Sequence, residues 1–302
     1  ANGVRGDVRL YALDAILNGT ASGQAAITAR NVWLETLSGT IGELGSPLLT
    51  DMSGYLVASA LGSVSISQIG SHDLVLARVE SRSRDEVHLT SAASIVNDKT
   101  AHPGLSNGRG DAVVTGGSLF FVAGGSVGAY LQSDTAGAAV NDALIVAAVG
   151  QASTINVQAR GDVALVQVGA ATDAQGVSQA LSLNVGQIDA RNAWLVARHE
   201  AGQAGTSGDI VLAPDAVIRT VGVLSLLAGN NLSVAGRSGL QGGGLIQAGQ
   251  RMNLRVDRDD RGTAGYGKAS AVDVNGRLLA PEIYVYGSDG GNNTITFSST
   301  AD

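Results

Sequence analysis

Short stretches that alternate apolar and polar residues recur along the whole chain. Most of them open with Asp, Asn or Glu, followed by an apolar residue, any residue and a second apolar residue. This alternation has the period of a β-strand, so the two apolar side chains are predicted to point inward and the residue between them outward. The inward positions predicted in this way include Val8, Leu10, Leu74, Leu76, Val163, Leu165, Ile210 and Leu212.

A longer pattern repeats around these stretches. Residues 29–34 recur as imperfect copies at 118–121, 190–195 and 280–285, and segment 38–42 has a counterpart at 124–128. The copies place large aromatic residues at matching positions, namely Trp33, Phe120, Trp194 and Tyr284. The short alternating stretches themselves lie mostly about 20 to 30 residues apart, and repeats of this length are typical of solenoid proteins.

The repeats predict an all-β fold. Strands separated by Gly-rich turns indicate a parallel β-helix, or β-solenoid, of roughly a dozen rungs that runs as one continuous unit over residues 1–302. The strand rhythm fails at 97–108, 171–178, 199–207 and 257–267, which are predicted to be loops extruded from the coil.

Composition excludes several functional classes. The chain has no cysteine, so disulfides and thiolate metal sites are ruled out. Its formal net charge of -7 argues against a nucleic-acid partner, which requires clustered Lys and Arg. The longest apolar run, at 143–149, is far shorter than the roughly 20 residues that span a bilayer, so no membrane insertion is expected.

Several motifs together carry a family resemblance. They are Ile27-Thr28-Ala29-Arg30-Asn31-Val32-Trp33-Leu34, Ser38-Gly39-Thr40-Ile41-Gly42, Ser46-Pro47-Leu48-Leu49, Gly54-Tyr55-Leu56-Val57-Ala58 and Asp73-Leu74-Val75-Leu76. In these the chain resembles the filamentous haemagglutinin type of large bacterial exoprotein. The resemblance implies a right-handed β-helix, a segment of a longer exoprotein that an outer-membrane secretion partner exports by the two-partner route. It also implies a secreted or cell-surface adhesin or stalk that contacts a receptor or glycan on a host or neighbouring cell.

Arg-Gly-Asp occurs three times, at 5–7, 109–111 and 160–162, and suggests receptor binding in an adhesin. Each Gly-Asp pair also fits a turn that opens a strand, and turn chemistry alone explains such a pair. Arg109, Gly110 and Asp111 follow an expected loop and are the receptor-binding candidate.

A calcium site is a weaker candidate. Asp257, Asp259 and Asp260 supply oxygen ligands close together in the sequence. Arg258 and Arg261 oppose cation binding, and a solvated loop is the alternative. No cofactor is expected.

The alternative function is a polysaccharide-cleaving or polysaccharide-binding β-helix. Cleavage requires converging carboxylates, whereas Asp85 and Glu86 are adjacent in an expected charged turn. His72, His88, His102 and His199 show no ligand spacing and are predicted to lie on the surface. Trp33 and Trp194 are candidate sugar-stacking platforms if they point outward. A non-enzymatic protein is therefore expected.

The sequence predicts strands at both ends of the chain, and neither end shows an amphipathic segment that would cover the open coil. An open coil exposes unpaired backbone groups and an apolar cross-section, which predicts head-to-tail self-association or stacking on further coils of a longer parent.

Overall fold

The computed structural model describes residues 5–21, 23–98, 112–129, 143–172, 178–200, 207–236, 243–257, 270–287 and 293–297. These residues form strands and turns and contain no helix. None of the described segments is therefore a helix long and apolar enough to cross a membrane.

The strands are numbered in chain order. They are β1 Val8–Ala12, β2 Ile27–Ala29, β3 Val32–Thr36, β4 Leu48–Met52, β5 Tyr55–Ala60, β6 Val64–Gln68, β7 Leu74–Ser81, β8 Val87–Ser91, β9 Ile95–Asn97, β10 Val114–Gly116, β11 Leu119–Ala123, β12 Leu144–Ala148, β13 Ile155–Ala159, β14 Val163–Gln167, β15 Ala170–Thr172, β16 Ser178–Ala180, β17 Leu183–Ala190, β18 Ala193–Ala197, β19 Ile210–Thr220, β20 Val223–Ala228, β21 Leu232–Val234, β22 Leu245–Ala248, β23 Arg251–Arg255, β24 Ala271–Val274, β25 Arg277–Leu279, β26 Glu282–Tyr286 and β27 Thr294–Phe297.

The chain alternates between two long parallel sheets. Sheet 1 follows the order β1-β3-β5-β7-β10-β12-β14-β18-β20-β23-β26, and sheet 2 follows β2-β4-β6-β8-β11-β13-β17-β19-β21-β24-β27. Strands β9, β22 and β25 join these paths at the side. Each coil thus adds one strand to each sheet, and the predicted β-solenoid is confirmed. At the usual strand spacing, eleven coils extend about 50 Å along the axis.

One apolar core runs between the two sheets. It contains inward side chains from both, from Ile27 near one end to Val274 near the other. Six of the eight inward positions predicted from the alternation are fully buried; Val8 is half-buried and Leu10 is 40% exposed. Leu10 pairs with Leu34 on one side only, because β1 is the outermost strand of sheet 1.

The last coil repeats this situation at the other end. Ile283, Ile295 and Phe297 pair in register with inward residues of the previous coil, which are buried, but they are themselves exposed. Apolar cross-section is therefore accessible at both outermost coils.

Two buried glutamines connect successive coils inside the core. The Gln68 amide donates to the Met52 carbonyl oxygen (2.8 Å) and accepts from the Met52 N–H (3.0 Å). Gln167 makes the same pair of bonds to Ala148 (3.2 and 3.1 Å). Each amide side chain thus substitutes for a peptide group at the end of its strand, which satisfies polar atoms that would be costly to bury alone.

The aromatic repeat does not mark a single column of side chains. Trp33, Trp194 and Tyr284 lie in sheet 1, but Phe120 lies in β11 of sheet 2, next to His88 and Asn156. The repeated sequence unit is therefore a strand followed by a turn, which is half a coil, and it serves both sheets.

The matching segments 38–42 and 124–128 make this clear, because they form the same turn at opposite corners. Ile41 bridges Ile16 and Val64 where the chain passes from sheet 1 to sheet 2, and Val127 bridges Ile95 and Val163 where it returns. The following glycines, Gly42 and Gly128, have φ values of 65° and 67°.

One expected loop contains regular structure. Within 171–178, strands β15 and β16 form an antiparallel pair in which Thr172 faces Ser178. Ala171 and Leu181 pack with Ala147 of sheet 1 in a small apolar cluster, which accounts for the order at this position. The other expected loops lie largely outside the described residues.

Replacing Gly42 by alanine should destabilise the protein by about 1–3 kcal/mol or more, because a side chain is strained at positive φ. A Cβ atom there would also lie 2.0 Å from the Ser65 carbonyl oxygen of the next coil. Gly45→Ala is the matched control, since a Cβ at Gly45 meets nothing within 4 Å. Urea unfolding of the two variants measures the difference, and equal stabilities would contradict this account of the turn.

Candidate functional site

Polar side chains that precede the strands form ladders from coil to coil. Asp7 Oδ1 accepts a hydrogen bond from Asn31 Nδ2 (3.0 Å), and Asn31 Oδ1 accepts from the backbone N–H of Tyr55 (3.0 Å). The residue before Tyr55 is Gly54, where a Cβ atom would lie 2.1 Å from Asn31 Oδ1. Glycine is thus required for the amide to reach the next coil.

The same ladder recurs in the second half of the chain. Asp162 Oδ1 accepts from Asn192 Nδ2 (2.9 Å), and Asn192 Oδ1 accepts from the N–H of Val223 (2.8 Å). Gly222 leaves room for the amide as Gly54 does. In both ladders an arginine also binds the aspartate: Arg30 contacts Asp7, and Arg191 donates to both oxygens of Asp162 (2.9 and 2.8 Å).

A third ladder lacks the arginine. Asp209 Oδ1 accepts from Asn231 Nδ2 (3.1 Å), and Asn231 Oδ1 accepts from the N–H of Ala271 (2.9 Å). The hydrogen bonds from Arg191 lower the pKa of Asp162, whereas burial raises the pKa of Asp209. The opposite directions thus have two causes: Arg191 stabilises the charged form of Asp162, and Asp209 is the more deeply buried of the two and lacks an arginine partner.

Two of the three Arg-Gly-Asp copies take part in these ladders through their aspartates. Asp7 and Asp162 are held in them, and Arg5 donates to both the side chain and the carbonyl oxygen of Asp51. The carboxylate that a receptor would bind is thus already committed in the copies at 5–7 and 160–162. Arg109, Gly110 and Asp111 lie outside the described residues, so receptor binding there stays a prediction.

A groove on one side of the solenoid offers a ligand surface, and we call it the lateral groove. Its floor is the outer face of sheet 2 and its wall is the corner that leads back to sheet 1. It holds about 1060 Å³, and outward residues of five successive coils line it: Val122, Gln158, Asp189, Arg219 and Gln247.

The corner wall of the lateral groove consists of Gly124, Arg160, Arg191, Val221 and Gly249. Backbone hydrogen bonds continue between coils through this wall, for example from the Arg160 N–H to the Ala123 carbonyl oxygen (3.2 Å) and from the Gly249 N–H to Thr220 (3.0 Å). Backbone pairing between coils therefore extends from sheet 2 into the wall.

Positive charge dominates the lateral groove, although the whole chain is acidic. Arg191 is paired with Asp162, but the guanidinium groups of Arg160 and Arg219 make no ion pair or hydrogen bond with any part of the chain that the structure describes. The groove contains one carboxylate among its described lining residues, Asp189, which accepts from Gln187 Nε2 (2.6 Å).

The adjacent carboxylates Asp85 and Glu86 lie in the turn between β7 and β8, as predicted. A second concavity of about 650 Å³ includes both. Ser83 Oγ donates to Asp85 (2.7 Å), and Glu86 contacts His88 Nε2 (3.0 Å). Both groups thus have partners within the turn region.

The surface prediction for the histidines is wrong for His199. It is buried, with Nδ1 2.9 Å from the Ser207 carbonyl oxygen. His72 is exposed, and His88 is half-buried and stacks on Phe120 at 4.1 Å. His102 lies outside the described residues.

The two tryptophans point away from the core but have different surroundings. Trp194 is only 7% exposed, because Val166 and Val196 pack around it on the outer face of sheet 1, so it offers no sugar-stacking platform. Trp33 is half-buried; Arg9 lies over its ring at 4.5 Å and Tyr55 meets it edge-on.

Of the three calcium candidates, only Asp257 lies within the described residues. Asp257 is buried and has a φ of 57°, whereas Asp259 and Asp260 lie outside the described residues. Elsewhere in the described ranges, no group of three or more His, Asp or Glu side chains is arranged to hold a metal ion.

Sequence patterns gave no functional role to Asp189 or Arg219, and they marked Arg160 only as part of the Arg-Gly-Asp copy at 160–162. Gln158, Asp189, Arg219 and Gln247 each follow Val or Ile and precede Ala or Thr. This pattern of an apolar, a polar and a small residue marks the end of a strand at the corner that leads from sheet 2 back to sheet 1. Only the register between strands shows that the four polar residues form one line.

Comparison with protein-family models, curated proteins and solved structures finds no match. The strand pairing itself defines the class of this protein, a parallel β-solenoid.

Replacing Asp162 by asparagine should destabilise the protein at pH 7 by up to about 1 kcal/mol, since its partner Arg191 is exposed to solvent. Because the pKa of Asp162 in the folded protein lies below its ordinary value of 3.8, the stabilisation is present above that value and is lost as pH falls through the folded pKa. Urea unfolding of both proteins at pH 7 and at about pH 3 measures the change. Asp215→Asn, at an exposed carboxylate, is the control, and a difference for Asp162→Asn that does not shrink at low pH would contradict the role of Arg191.

Proposed function

We propose that this chain is a segment of an extracellular rod of the filamentous haemagglutinin type, either an adhesin or the stalk of one. It reaches the bacterial surface or the medium through an outer-membrane secretion partner and contacts a receptor or glycan on a host or neighbouring cell. The motifs that resemble that type of exoprotein support this proposal. The observation that carries it is the uninterrupted strand pairing from coil to coil.

The continuous strand pairing supports a mechanical role. Consecutive parallel pairings link β1 to β26 in sheet 1 and β2 to β27 in sheet 2. Backbone hydrogen bonds at the corners, the asparagine ladders and the buried glutamines all run in the same axial direction. A solenoid held together in this way is stiff along its axis and offers long lateral surfaces for contact.

The alternative, a polysaccharide-cleaving enzyme, receives less support. Glycoside hydrolysis requires two carboxylates roughly 5–10 Å apart on either side of the scissile bond. The described lining of the lateral groove supplies Asp189 alone. A polysaccharide-binding role needs no such pair and is compatible with a rod that makes surface contacts.

Microspheres coated with the folded chain should adhere to cells. A single cysteine appended after Asp302 gives one attachment point, because the chain has none of its own. Retention under flow on epithelial and bacterial cell layers is expected to exceed that of microspheres carrying Leu89→Asp/Leu195→Asp, a variant whose buried charges prevent folding. Retention no higher than this control on both layers would contradict the adhesive role.

Head-to-tail self-association is proposed for the two outermost coils. Phe297 is 56% exposed although it lies in an inward position, so stacking on another coil would bury it. Sedimentation velocity should show elongated oligomers that grow with concentration, and Phe297→Glu should remove them because a buried charge is costly. Leu61→Glu places the same charge on a lateral turn and should leave assembly unchanged. A monomeric native chain at every concentration would contradict the proposal.

A further inference from the structure

We propose that the lateral groove binds a linear acidic polysaccharide that lies along the solenoid axis. This inference rests on the proposed contact function and names its ligand. The polymer is defined by repeated sugar units that carry carboxylate or sulfate groups.

The register of the strands places the outward residues of the lateral groove in a line. Val122, Gln158, Asp189, Arg219 and Gln247 occupy one column, each paired with the next across neighbouring strands. Parallel strands repeat at about 4.8 Å, so the column presents one side chain at each step of roughly the length of a sugar unit. A linear polymer of similar repeat meets a new contact at every coil.

Two unpaired arginines give the lateral groove positive charge. Arg160 and Arg219 are exposed in the groove and lie two coils apart, on the strands and turns of β13 and β19. Neither guanidinium is paired within the described part of the chain, so both are available for an acidic group. Guanidinium groups bind carboxylate and sulfate-like oxyanions through charge-assisted hydrogen bonds.

The other lining residues of the lateral groove offer hydrogen-bonding groups and apolar surface. Gln158 and Gln247 offer amide donors and acceptors, and Asp189 is an acceptor for hydroxyl groups. Val122 and Val221 are 43% and 76% exposed and supply apolar surface. A polyhydroxylated acidic ring matches this mixture of amide, carboxylate, guanidinium and apolar surface.

The same features disfavour other polymers. The groove lies on the face of sheet 2, where the backbone groups are already paired, so a peptide cannot add a strand there. A double-stranded nucleic acid carries about one phosphate charge per 1.7 Å of its axis, a denser charge than the two unpaired arginines of the groove can neutralise.

Isothermal titration with two acidic hexasaccharides tests the proposal. The probes are hexagalacturonate, which carries carboxylates, and sulfated maltohexaose, with fully methyl-esterified hexagalacturonate and unmodified maltohexaose as neutral counterparts. At least one acidic probe is expected to bind, more tightly than its dimer and its neutral counterpart, and the acidic probe that binds identifies the charged group. Recovery of the bound hexasaccharide intact is expected of a non-catalytic protein.

The double variant Arg160→Gln/Arg219→Gln should weaken this binding about tenfold or more, because two charge-assisted contacts are lost. Arg9→Gln removes an exposed guanidinium from the outer face of sheet 1 and should leave the affinity unchanged. The thermal unfolding of the double variant should match that of the native chain, because neither guanidinium makes an ion pair or hydrogen bond with the described part of the chain; this separates a lost contact from a lost fold.

Three results would overturn the proposal: no binding of either acidic hexasaccharide, equal binding of neutral and acidic probes, or full affinity in the double variant. A dimer that binds as tightly as the hexamer would overturn the axial arrangement. Failure here leaves microsphere adhesion and head-to-tail assembly untouched, because these are measured without the probes. Failure of the polysaccharide proposal is therefore distinguishable from failure of the proposed adhesive or stalk function.

Discussion

The backbone hydrogen bonds that join each coil to the next are the constraint on which the rest of this structure depends. Parallel strands pair in register only if every turn returns the chain to the same axial position. Where a turn approaches its neighbour closely, no side chain fits, as at Gly42 and Gly128, whose φ values are also those that glycine tolerates. Gly54 and Gly222 meet a related requirement, because they leave room for an asparagine amide from the preceding coil.

The same requirement explains why similar motifs have different electrostatic consequences. Asp162 and Asp209 both accept hydrogen bonds from an asparagine one coil further on. Arg191 accompanies only the first, so its pKa falls, whereas burial raises that of the second. The role of an Arg-Gly-Asp motif therefore depends on its place in the coil. Where Asp7 and Asp162 form ladders, the motif links one coil to the next.

Axial register also creates surfaces from residues that are far apart in the sequence. Gln158, Asp189, Arg219 and Gln247 come from four different coils, yet strand pairing places them in one line. Because the outward positions of this column lie outside the core, polar and charged residues can be accommodated there without loss of the fold. A chain with a net charge of -7 can in this way carry a groove in which arginines predominate.

Local alternation by itself determined the strands and their inward faces, since Leu74, Leu165 and Leu212 are buried as the period of two requires. Turn chemistry in the sequence likewise placed glycines at the corners. Only the tertiary structure decided which sheet each repeat joins, as Phe120 shows, and that His199 and Trp194 are buried by neighbours distant in sequence. It also decided which polar side chains share a groove. The physical reason is that alternation records which side of a strand faces the core, whereas register and burial depend on where each turn brings the next coil.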